Sequence, residues 1–259
     1  MFEFVKADAK VVSYLIGVQL LALGIARNLI SQDVELVEGG AGVETSVLFF
    51  LLILAATLLL LVIIKMRLSR YLYIFTDYFG LFFITLYMVS SVTDNPLMGL
   101  LASSVAIIMK IFLGKNKIVG LAASATICIG IASIIGITFG PPSLIILLLL
   151  LSAYDFIAVK KTKHMITMAE DVMSERGPQL LSFSSDKDEI IIGMADIIFP
   201  SALFVSVFLE EGAIVAAMTS IASIIGLMVL FKGPMEEGMP AIPFVSLGIV
   251  GYLVGLALI

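Results

Sequence analysis

The chain has 259 residues, of which 61% are hydrophobic and 14% are charged, and its formal net charge at pH 7 is −5. This apolar fraction exceeds that of soluble globular domains, and the acidic balance offers no basic surface for nucleic acid. The composition therefore excludes a soluble enzyme or a nucleic-acid-binding protein and indicates an integral membrane protein.

Apolar runs of about 20 residues recur along the chain, and this is the length that a helix needs to cross a hydrocarbon core of about 30 Å. Nine such runs predict an all-α polytopic membrane protein with nine transmembrane helices. The predicted helices cover residues 11–30, 46–64, 71–90, 97–113, 118–137, 143–159, 190–209, 213–231 and 241–259.

The lysines and arginines are distributed asymmetrically between the connections of these helices. Of the 15 cationic residues, 14 lie in or beside the N-terminus and the connections that follow even-numbered helices, and Arg27 alone lies toward the other side. Because cytoplasmic loops retain lysine and arginine, we expect a cytoplasmic N-terminus and a C-terminus outside. The compact connections and the lack of an organelle signal favour a multi-pass protein of the cell's plasma membrane.

Two acidic residues fall inside consecutive predicted helices at a similar depth. Asp155 lies five residues before the inner end of the sixth helix, and Asp196 lies seven residues after Glu189, where the seventh helix starts. At the rise of an α-helix, these separations are about 7.5 Å and about 10 Å. A carboxylate inside a membrane helix costs about 2.5–3.5 kcal/mol and normally faces the bundle interior or water. We therefore expect the two carboxylates to face each other.

Such a pair has several chemical uses. Two adjacent carboxylates cannot easily both ionise, so they share a proton. The protonated member can polarise a peptide carbonyl while the ionised member takes a proton from water, which suits amide hydrolysis. The same pair can instead bind a proton or a sodium ion in a coupled transporter, or bond to hydroxyl groups in a helix core. The two acids by themselves leave these alternatives open.

The residues around the two acids alter the helix backbone. Tyr154 directly precedes Asp155 in the sixth helix. Gly193 lies one predicted turn before Asp196, where the absence of a side chain allows a partner helix to approach. Pro200 follows Asp196 by four residues, so it cannot donate the helical hydrogen bond to that carbonyl. We expect the seventh helix to loosen or kink there.

A second proline-containing segment, PAIP, lies at the inner end of the ninth predicted helix. Pro240 and Pro243 remove two backbone donors, so we expect irregular backbone there. At membrane depth, such backbone occurs where it lines a cavity or is buried in protein. The segment falls on the same side as both acids. Prolines that simply open a helix are the alternative interpretation.

The long connection over residues 165–189 joins the two aspartate helices. Apolar residues from Met165 to Arg176 follow helical spacing and predict a short amphipathic helix at the membrane interface. The following stretch, QLLSFSSDKDE, is polar and extended in character. It can offer an edge strand that binds an unwound substrate segment by main-chain hydrogen bonds, or it can be a solvated connector.

Other candidate chemistries lack residues that they need. Asp77 lies at a similar depth in the third predicted helix but has no proline or glycine context, so we expect a structural role in which it bonds to a hydroxyl or to water. Lys110 is expected to extend its charge to the membrane surface. Zinc and serine membrane proteases need histidines within the membrane, and the chain has one histidine, His164, in a polar loop. We therefore expect neither a metal nor an organic cofactor.

These residues resemble the presenilin and signal peptide peptidase family of intramembrane aspartyl proteases. The matching motifs are YD at 154–155, a variant of GxGD at 193–196 and a variant of PAL at 240–242. Helix number, motif order and motif placement agree along the whole chain. The stretch after YD is more similar to presenilins, and the chain is most like a prokaryotic (archaeal) presenilin homologue.

The resemblance implies an aspartic endopeptidase that hydrolyses peptide bonds within transmembrane segments, with Asp155 and Asp196 as catalytic dyad and water as nucleophile. Ala195 stands where the family has glycine and adds a methyl group at a position where the motif suggests close packing, so we expect it to alter helix spacing or activity. Ile242 stands where the family has leucine, a swap that usually costs little. The resemblance also implies residues that bind substrate or support the active site: Tyr154, Gly193, Ala195, Pro240, Ala241, Ile242 and Pro243.

We expect one membrane domain over residues 1–259. Residues 1–137 are predicted to form a scaffold of five helices, and residues 138–259 the catalytic part. The expected partners are transmembrane protein substrates and the lipid bilayer, without nucleic acid and without required accessory subunits. A homo-oligomer is compatible with the sequence.

Overall fold

The computed structural model describes residues 4–32, 42–114, 116–160, 171, 180–184, 189–232 and 240–258. These residues form ten α-helices and one two-stranded sheet. The first six helices are α1 (Phe4–Ser31), α2 (Val43–Lys65), α3 (Ser69–Thr93), α4 (Pro96–Leu113), α5 (Lys117–Thr138) and α6 (Pro141–Lys160). The later elements are β1 (Leu180–Ser184), β2 (Glu189–Gly193), α7 (Ala195–Glu211), α8 (Ala213–Lys232), α9 (Ile242–Val245) and α10 (Gly248–Ala257).

Local sequence sets where α4 and α5 begin. The side chain of Asn95 accepts a hydrogen bond of 3.0 Å from the backbone N–H of Leu97, and Pro96 is the first residue of α4. Asn116 accepts a bond of 2.9 Å from Ile118 in the same way. These caps satisfy amide donors that a helix leaves unpaired at its start. Each of these two helices therefore begins directly after a capping asparagine.

Seven of the described helices, α1 to α6 and α8, are long and apolar enough to cross a membrane. Helix α7 has 17 residues, and the apolar segment Ile242–Ala257, which holds α9 and α10, is also shorter than those seven. These two segments correspond to the seventh and ninth predicted spans. The chain is therefore a multi-pass membrane protein that is mostly helical.

Helices α1, α5 and α7 pack against one another in the centre of the bundle. The hydroxyl of Ser133 on α5 donates a hydrogen bond of 3.0 Å to the carbonyl of Ala22 on α1. The hydroxyl of Ser206 on α7 donates a bond of 2.7 Å to the carbonyl of Phe139, directly after α5. In an apolar environment, such bonds between helices supplement van der Waals packing. This central group supports the elements that carry the two acids.

Small residues bring α9 and α10 close to α8. A methyl group at Gly251 of α10 would overlap the carbonyl of Met218 on α8. A methyl group at Gly226 of α8 would likewise overlap the carbonyl of Phe244 on α9. Glycine at such positions lets two helix backbones approach closely. Helix α8 therefore fixes the position of the segment that begins with PAIP.

The prediction of a helix over residues 190–209 is wrong at its start. Residues Glu189–Gly193 form strand β2, and α7 begins at Ala195. Ile190 and Ile192 are buried whereas Ile191 is exposed, which is the period of two that a strand requires. Three consecutive β-branched side chains also favour a strand over a helix. The expected all-α fold therefore contains one β-hairpin.

The long connection is described only in part. The amphipathic helix predicted from Met165 to Arg176 lies outside the described residues, apart from Asp171. The extended character predicted for this stretch is confirmed for LLSFS, because Leu180–Ser184 is strand β1. The two strands are antiparallel, and their register runs from Leu180 opposite Gly193 to Ser184 opposite Glu189.

Candidate active site

Asp155 lies on the buried face of α6. Leu144, Leu148 and Leu151 precede it at helical spacing and are each at most 2% exposed, and Asp155 itself is 4% exposed. The periodic apolar face that packs into the bundle thus carries the carboxylate into the interior with it. A buried carboxylate needs hydrogen-bond partners, and the PAIP segment supplies them.

The PAIP segment presents its backbone to Asp155. Oδ2 of Asp155 accepts a hydrogen bond of 3.1 Å from the N–H of Ile242, and the N–H of Ala241 also interacts with the carboxylate. Pro240 and Pro243 have no N–H, so these are the two amide donors of the motif. Ile242 is the first residue of α9, where a helix has unpaired donors. The expected irregular backbone is confined to Pro240 and Ala241.

Two serines connect α6 to the same segment. The hydroxyl oxygens of Ser152 and Ser246 are 2.6 Å apart, and Ser246 donates a bond of 2.7 Å to the carbonyl of Ile242. Ser152 lies about one turn before Asp155 on α6. Asp155 accepts a hydrogen bond from the N–H of Ile242, and Ser152 reaches the carbonyl of Ile242 through Ser246. We did not predict either serine. The sequence signal that could have indicated them is their position: Ser152 lies three residues before Asp155, and Ser246 lies four residues after Ile242, so each is on the same helix face as its neighbour.

Asp196 lies at the junction of β2 and α7, where it is the second residue of the helix. Its Oδ2 accepts a hydrogen bond of 3.2 Å from the N–H of Gly193. A carboxylate in the first helical turn is also favoured by the positive end of the helix dipole. The prediction that Asp196 lies seven residues inside a helix is therefore wrong. The residue lies at the start of α7, and the backbone of the preceding strand end, at Gly193, binds its carboxylate. Helix α7 continues past Pro200.

Gly193 and Ala195 differ from their predicted packing. A methyl group on Gly193 would lie 3.0 Å from Oδ2 of Asp196, which is tighter than nearly all real contacts of that kind. The absence of a side chain at Gly193 therefore leaves space for the carboxylate of Asp196. We had predicted that it would leave space for a partner helix. Ala195 is exposed, so its methyl group does not meet the close packing that its position in the motif suggests.

Helices α6 and α7 pack together and bring the two carboxylates close enough to interact electrostatically. Asp155 is buried, and Asp196 is partly exposed. Each accepts a backbone hydrogen bond from a segment outside its own helix. Two acids with different surroundings thus lie on packed helices within electrostatic range of each other, an arrangement in which one can act as acid and the other as base. Across the described ranges, no group of three or more histidine, cysteine or acidic residues could hold a metal.

Tyr154 faces α2. Its ring is edge-on to Phe50, with ring centroids 6.4 Å apart, and its hydroxyl bonds to Thr57. Phe50 and Thr57 are separated by two turns of α2, so Tyr154 lies along one face of that helix. Of the predicted supporting residues, Gly193, Ala241 and Ile242 contact an aspartate through the backbone, while the side chain of Tyr154 lies against α2.

Asp77 lies outside this site. Its carboxylate forms an ion pair with the ammonium of Lys110 on α4, and the two side chains are 10% and 11% exposed. The ammonium also lies 5.7 Å from the ring centre of Tyr78. Asp77 therefore has a partner other than the hydroxyl or water that we expected. The ammonium of Lys110, which we expected to extend toward the membrane surface, is paired with Asp77 instead, and both side chains are only slightly exposed.

The whole chain is similar to known membrane proteases. The family described as "Signal-peptide peptidase, presenilin aspartyl protease" matches residues 12–259. A structure of a presenilin family intramembrane aspartate protease in space group C222 is 28% identical, with a TM-score of 0.71 and 99% of both chains covered. One in space group P2 is 29% identical, with a TM-score of 0.72 and 96% of both covered. No curated protein matches significantly.

Proposed function

Because the chain belongs to the signal-peptide peptidase and presenilin family of intramembrane aspartyl proteases, we propose that Asp155 and Asp196 are its catalytic dyad. The observation that carries this proposal is that two carboxylates from different elements interact within one bundle while each is held by a backbone N–H. The substrates are transmembrane segments of other proteins, and the nucleophile is water.

The proposed reaction uses one protonated and one ionised carboxyl group. Like charges repel, so the dyad holds one proton between its two members. The protonated carboxyl donates a hydrogen bond to the carbonyl oxygen of the scissile peptide, and the ionised one takes a proton from the attacking water. The tetrahedral intermediate collapses when its nitrogen receives a proton, so the C–N bond breaks and an amine and a carboxylic acid are released.

The backbone hydrogen bonds to the dyad orient it for this reaction. Ile242 fixes Asp155, and Gly193 fixes Asp196, so neither carboxylate needs to search for its reactive orientation. Such orientation supplies a large part of the rate of positioned reactions. We therefore assign Gly193 and residues 240–243 to active-site support, with Tyr154 on the side of α2 and Ala195 at the exposed start of α7.

We propose that the β-hairpin holds the substrate. A helical substrate must unwind before water can attack, because its carbonyls are already paired within the helix. Strand β1 pairs with β2 on one side. An unwound segment can add to an outer edge of this hairpin by main-chain hydrogen bonds. Strand β2 ends at Gly193, which bonds Asp196, so a peptide on this hairpin would lie close to the dyad.

The proposed topology has nine membrane-spanning segments in a plasma membrane, with the N-terminus in the cytoplasm and the C-terminus outside. The segments that end and begin near Asp155, Asp196 and Ile242 then share the cytoplasmic half of the membrane. Residues 1–137 serve as a scaffold and residues 138–259 as the catalytic part. We propose that the protein needs no cofactor and no accessory subunit.

Cleavage of a labelled transmembrane peptide by the purified protein tests the proposal. Wild type is expected to produce two fragments, whereas Asp155→Asn and Asp196→Asn are each expected to lose more than 1,000-fold of the rate, on the order of the loss when a catalytic group is removed. Asp94→Asn, an exposed substitution of the same kind at the end of α3, should leave cleavage unchanged. Cleavage by either dyad variant at a rate near wild type would refute the assignment.

The same samples test the alternative of a proton- or sodium-coupled transporter that uses the same pair as its ion site. The family match gives no support to that alternative. In liposomes, a protease without transport activity should move neither ion down an imposed gradient. Ion flux that depends on both aspartates, without any cleavage, would favour the transporter.

A further inference from the structure

A groove of about 360 Å³ lies on the surface of the bundle, where α1, α7 and α8 meet. Its wall on α8 runs from Ala213 to Ile224, which is about 16 Å along that helix. Ala217 and Ser220 in this wall are small, so the groove has room for a side chain of another molecule. Ile221 at its edge is exposed. The groove therefore opens on the surface of the protein that faces the membrane.

Gln19 of α1 lies at the floor of the groove with an unpaired amide group. The residue is 2% exposed, and its Oε1 accepts a hydrogen bond of 2.6 Å from the hydroxyl of Ser220. Its Nε2 is buried and has no hydrogen-bond partner in the part of the chain that the structure describes. A buried donor without an acceptor is destabilising. Gln19 therefore indicates that a hydrogen-bond acceptor belongs at this position of the groove.

The depth of Gln19 selects the kind of molecule that can supply the acceptor. In the apolar span Ala9–Ser31, it lies about 15 Å from one end and about 18 Å from the other, near the middle of the membrane. Phospholipids carry their oxygens at the interfaces, and their acyl chains contain no acceptor. A transmembrane helix carries backbone carbonyls and polar side chains through the whole hydrocarbon region. The acceptor therefore belongs to a helix.

The face of α1 beside the groove has the features that such a helix needs. Gly17, Leu20 and Gly24 lie on one face, and the side chain of Leu20 is exposed. A methyl group at either glycine would meet nothing within 4 Å. The backbone of α1 is thus open on both sides of Leu20, so another helix can approach closely and bond to its carbonyls. Gly17 precedes Gln19 by two residues, so these carbonyls lie at nearly the same depth as the unpaired amide.

We propose that this groove is the interface of a symmetric dimer of the chain. Leu20 of each copy packs into the groove of the other, and Gln19 donates a hydrogen bond to a carbonyl of the other copy's α1 near the open glycines. A twofold axis along the membrane normal places each residue at the same depth as its counterpart, so donor and acceptor meet at one level. Groove and projecting leucine adjoin on α1, and a twofold interface requires this self-complementarity.

The dimer is independent of the proposed catalysis. Asp155 and Asp196 do not line the groove, and association is measured without a cleavage assay. A protein whose dyad proves inactive would still dimerise through α1. A monomeric protein could still cleave its substrate.

Association of the full chain in phosphatidylcholine liposomes tests the proposal. Copies that carry donor or acceptor fluorophores should show energy transfer that falls as the ratio of protein to lipid is lowered. Gly17→Leu should weaken association by about tenfold, because the new side chain covers the carbonyls and separates the two helices. The wild-type glycine has no neighbour within 4 Å, so this variant should fold normally. Gly120→Leu, at an equally open glycine of α5, is the matched control and should associate like the wild type.

Gln19→Leu tests the hydrogen bond separately from the packing. The substitution keeps an apolar side chain of similar size and removes the donor from both copies. Because two such bonds form in each dimer, we expect association to weaken by about tenfold. A thermal melt checks that the variant folds. A lower melting temperature with unchanged association would show that Gln19 acts only within one copy, and would overturn the proposed bond.

Oxidative cross-linking tests the geometry. When Leu20→Cys and Ala217→Cys proteins of different tag size are mixed in one membrane, a disulfide should join the two. Leu52→Cys, at an exposed position of α2, should not cross-link to Ala217→Cys. Cys128 is buried and does not take part. A wild type that stays monomeric at every density, association unaffected by Gly17→Leu, or equal cross-linking of Leu52→Cys and Leu20→Cys would each overturn the proposal.

Discussion

The backbone N–H of Ile242 donates a hydrogen bond of 3.1 Å to Oδ2 of Asp155, across 87 residues of sequence. The carbonyl of the same residue accepts a bond from Ser246, which in turn bonds to Ser152 on the helix of Asp155. Ile242 is thus held at both of its backbone polar groups. The position of Asp155 and that of the PAIP segment therefore depend on each other.

Replacement of Ser246 should weaken this connection. Ser246→Ala removes the bond to the Ile242 carbonyl and leaves the Ser152 hydroxyl without its partner, which costs roughly 1–3 kcal/mol in a buried site. We expect lower thermal stability and a cleavage rate that falls about tenfold, because the Ile242 N–H is less well oriented. A melt and a peptide-cleavage assay measure the two effects.

A double substitution checks that the two serines act together. Ser152→Ala alone should cost about as much as Ser246→Ala, and the double variant should cost less than the sum of the two, because both remove the same bond. Fully additive losses would show that each serine acts through different contacts. Ser104→Ala on the exposed side of α4 is a suitable control.

Gly193→Ala is expected to reduce activity without unfolding the protein. The added methyl group would lie 3.0 Å from Oδ2 of Asp196, so the carboxylate must shift by a few tenths of an ångström. Small misplacements of reacting groups have large effects on rate, so we expect roughly a tenfold loss. Ala195→Gly, two residues later at an exposed position, should change the rate less than twofold. A greater loss for Ala195→Gly would contradict this explanation.

The ion pair of Asp77 and Lys110 should matter for stability and not for catalysis. Asp77→Asn leaves a mostly buried ammonium without its counter-charge. Removing one partner of a fully buried pair costs about 3–5 kcal/mol, so we expect a somewhat smaller loss here. The double variant with Lys110→Gln should recover much of this loss, because no buried charge remains. Unfolding in denaturing detergent gives the stabilities. Cleavage per folded molecule should stay at the wild-type value, and a large drop would indicate a link between Asp77 and the dyad.

Gly226→Ala should destabilise the contact between α8 and α9. Its methyl group would overlap the carbonyl of Phe244, so α9 must move away, and Ile242 moves with it. We expect both a lower melting temperature and a lower cleavage rate. The control is Gly120→Ala on α5, where a methyl group meets nothing within 4 Å. That change should stabilise the helix by about 0.5–1 kcal/mol and leave cleavage unaffected. A similar loss in both variants would argue against the close contact.

Sequence alone predicted the helical core of this fold, because apolar runs are local features. The helices from α2 to α5 begin and end within a few residues of the predicted runs. The irregular backbone predicted for PAIP is present only at Pro240 and Ala241, because Ile242 and Pro243 open helix α9, as the alternative interpretation of the prolines had it. The contact from Ile242 to Asp155 could not be derived in this way, because it joins residues that are far apart in the chain.

The start of α7 shows where sequence reasoning is weakest. Residues Ile190, Ile191 and Ile192 are apolar enough to begin a membrane helix, and hydropathy does not distinguish such a helix from a strand. Their β-branched side chains favour a strand only when a second strand is available, and β1 supplies it from the preceding connection. The role of Gly193 was misread for the same reason. Its neighbour is the carboxylate three residues later, not a partner helix.

The pair of Asp77 and Lys110 also bears on how the chain enters the bilayer during synthesis. Helices α3 and α4 are joined by Asp94 and Asn95, so they leave the ribosome almost together. Each helix alone would bring an uncompensated charge into the hydrocarbon, at about 2.5–3.5 kcal/mol on insertion scales. When the two helices enter together, the charges of Asp77 and Lys110 neutralise each other. We therefore expect α3 and α4 to insert as one helical hairpin, so that charge neutralisation and membrane entry occur in the same step.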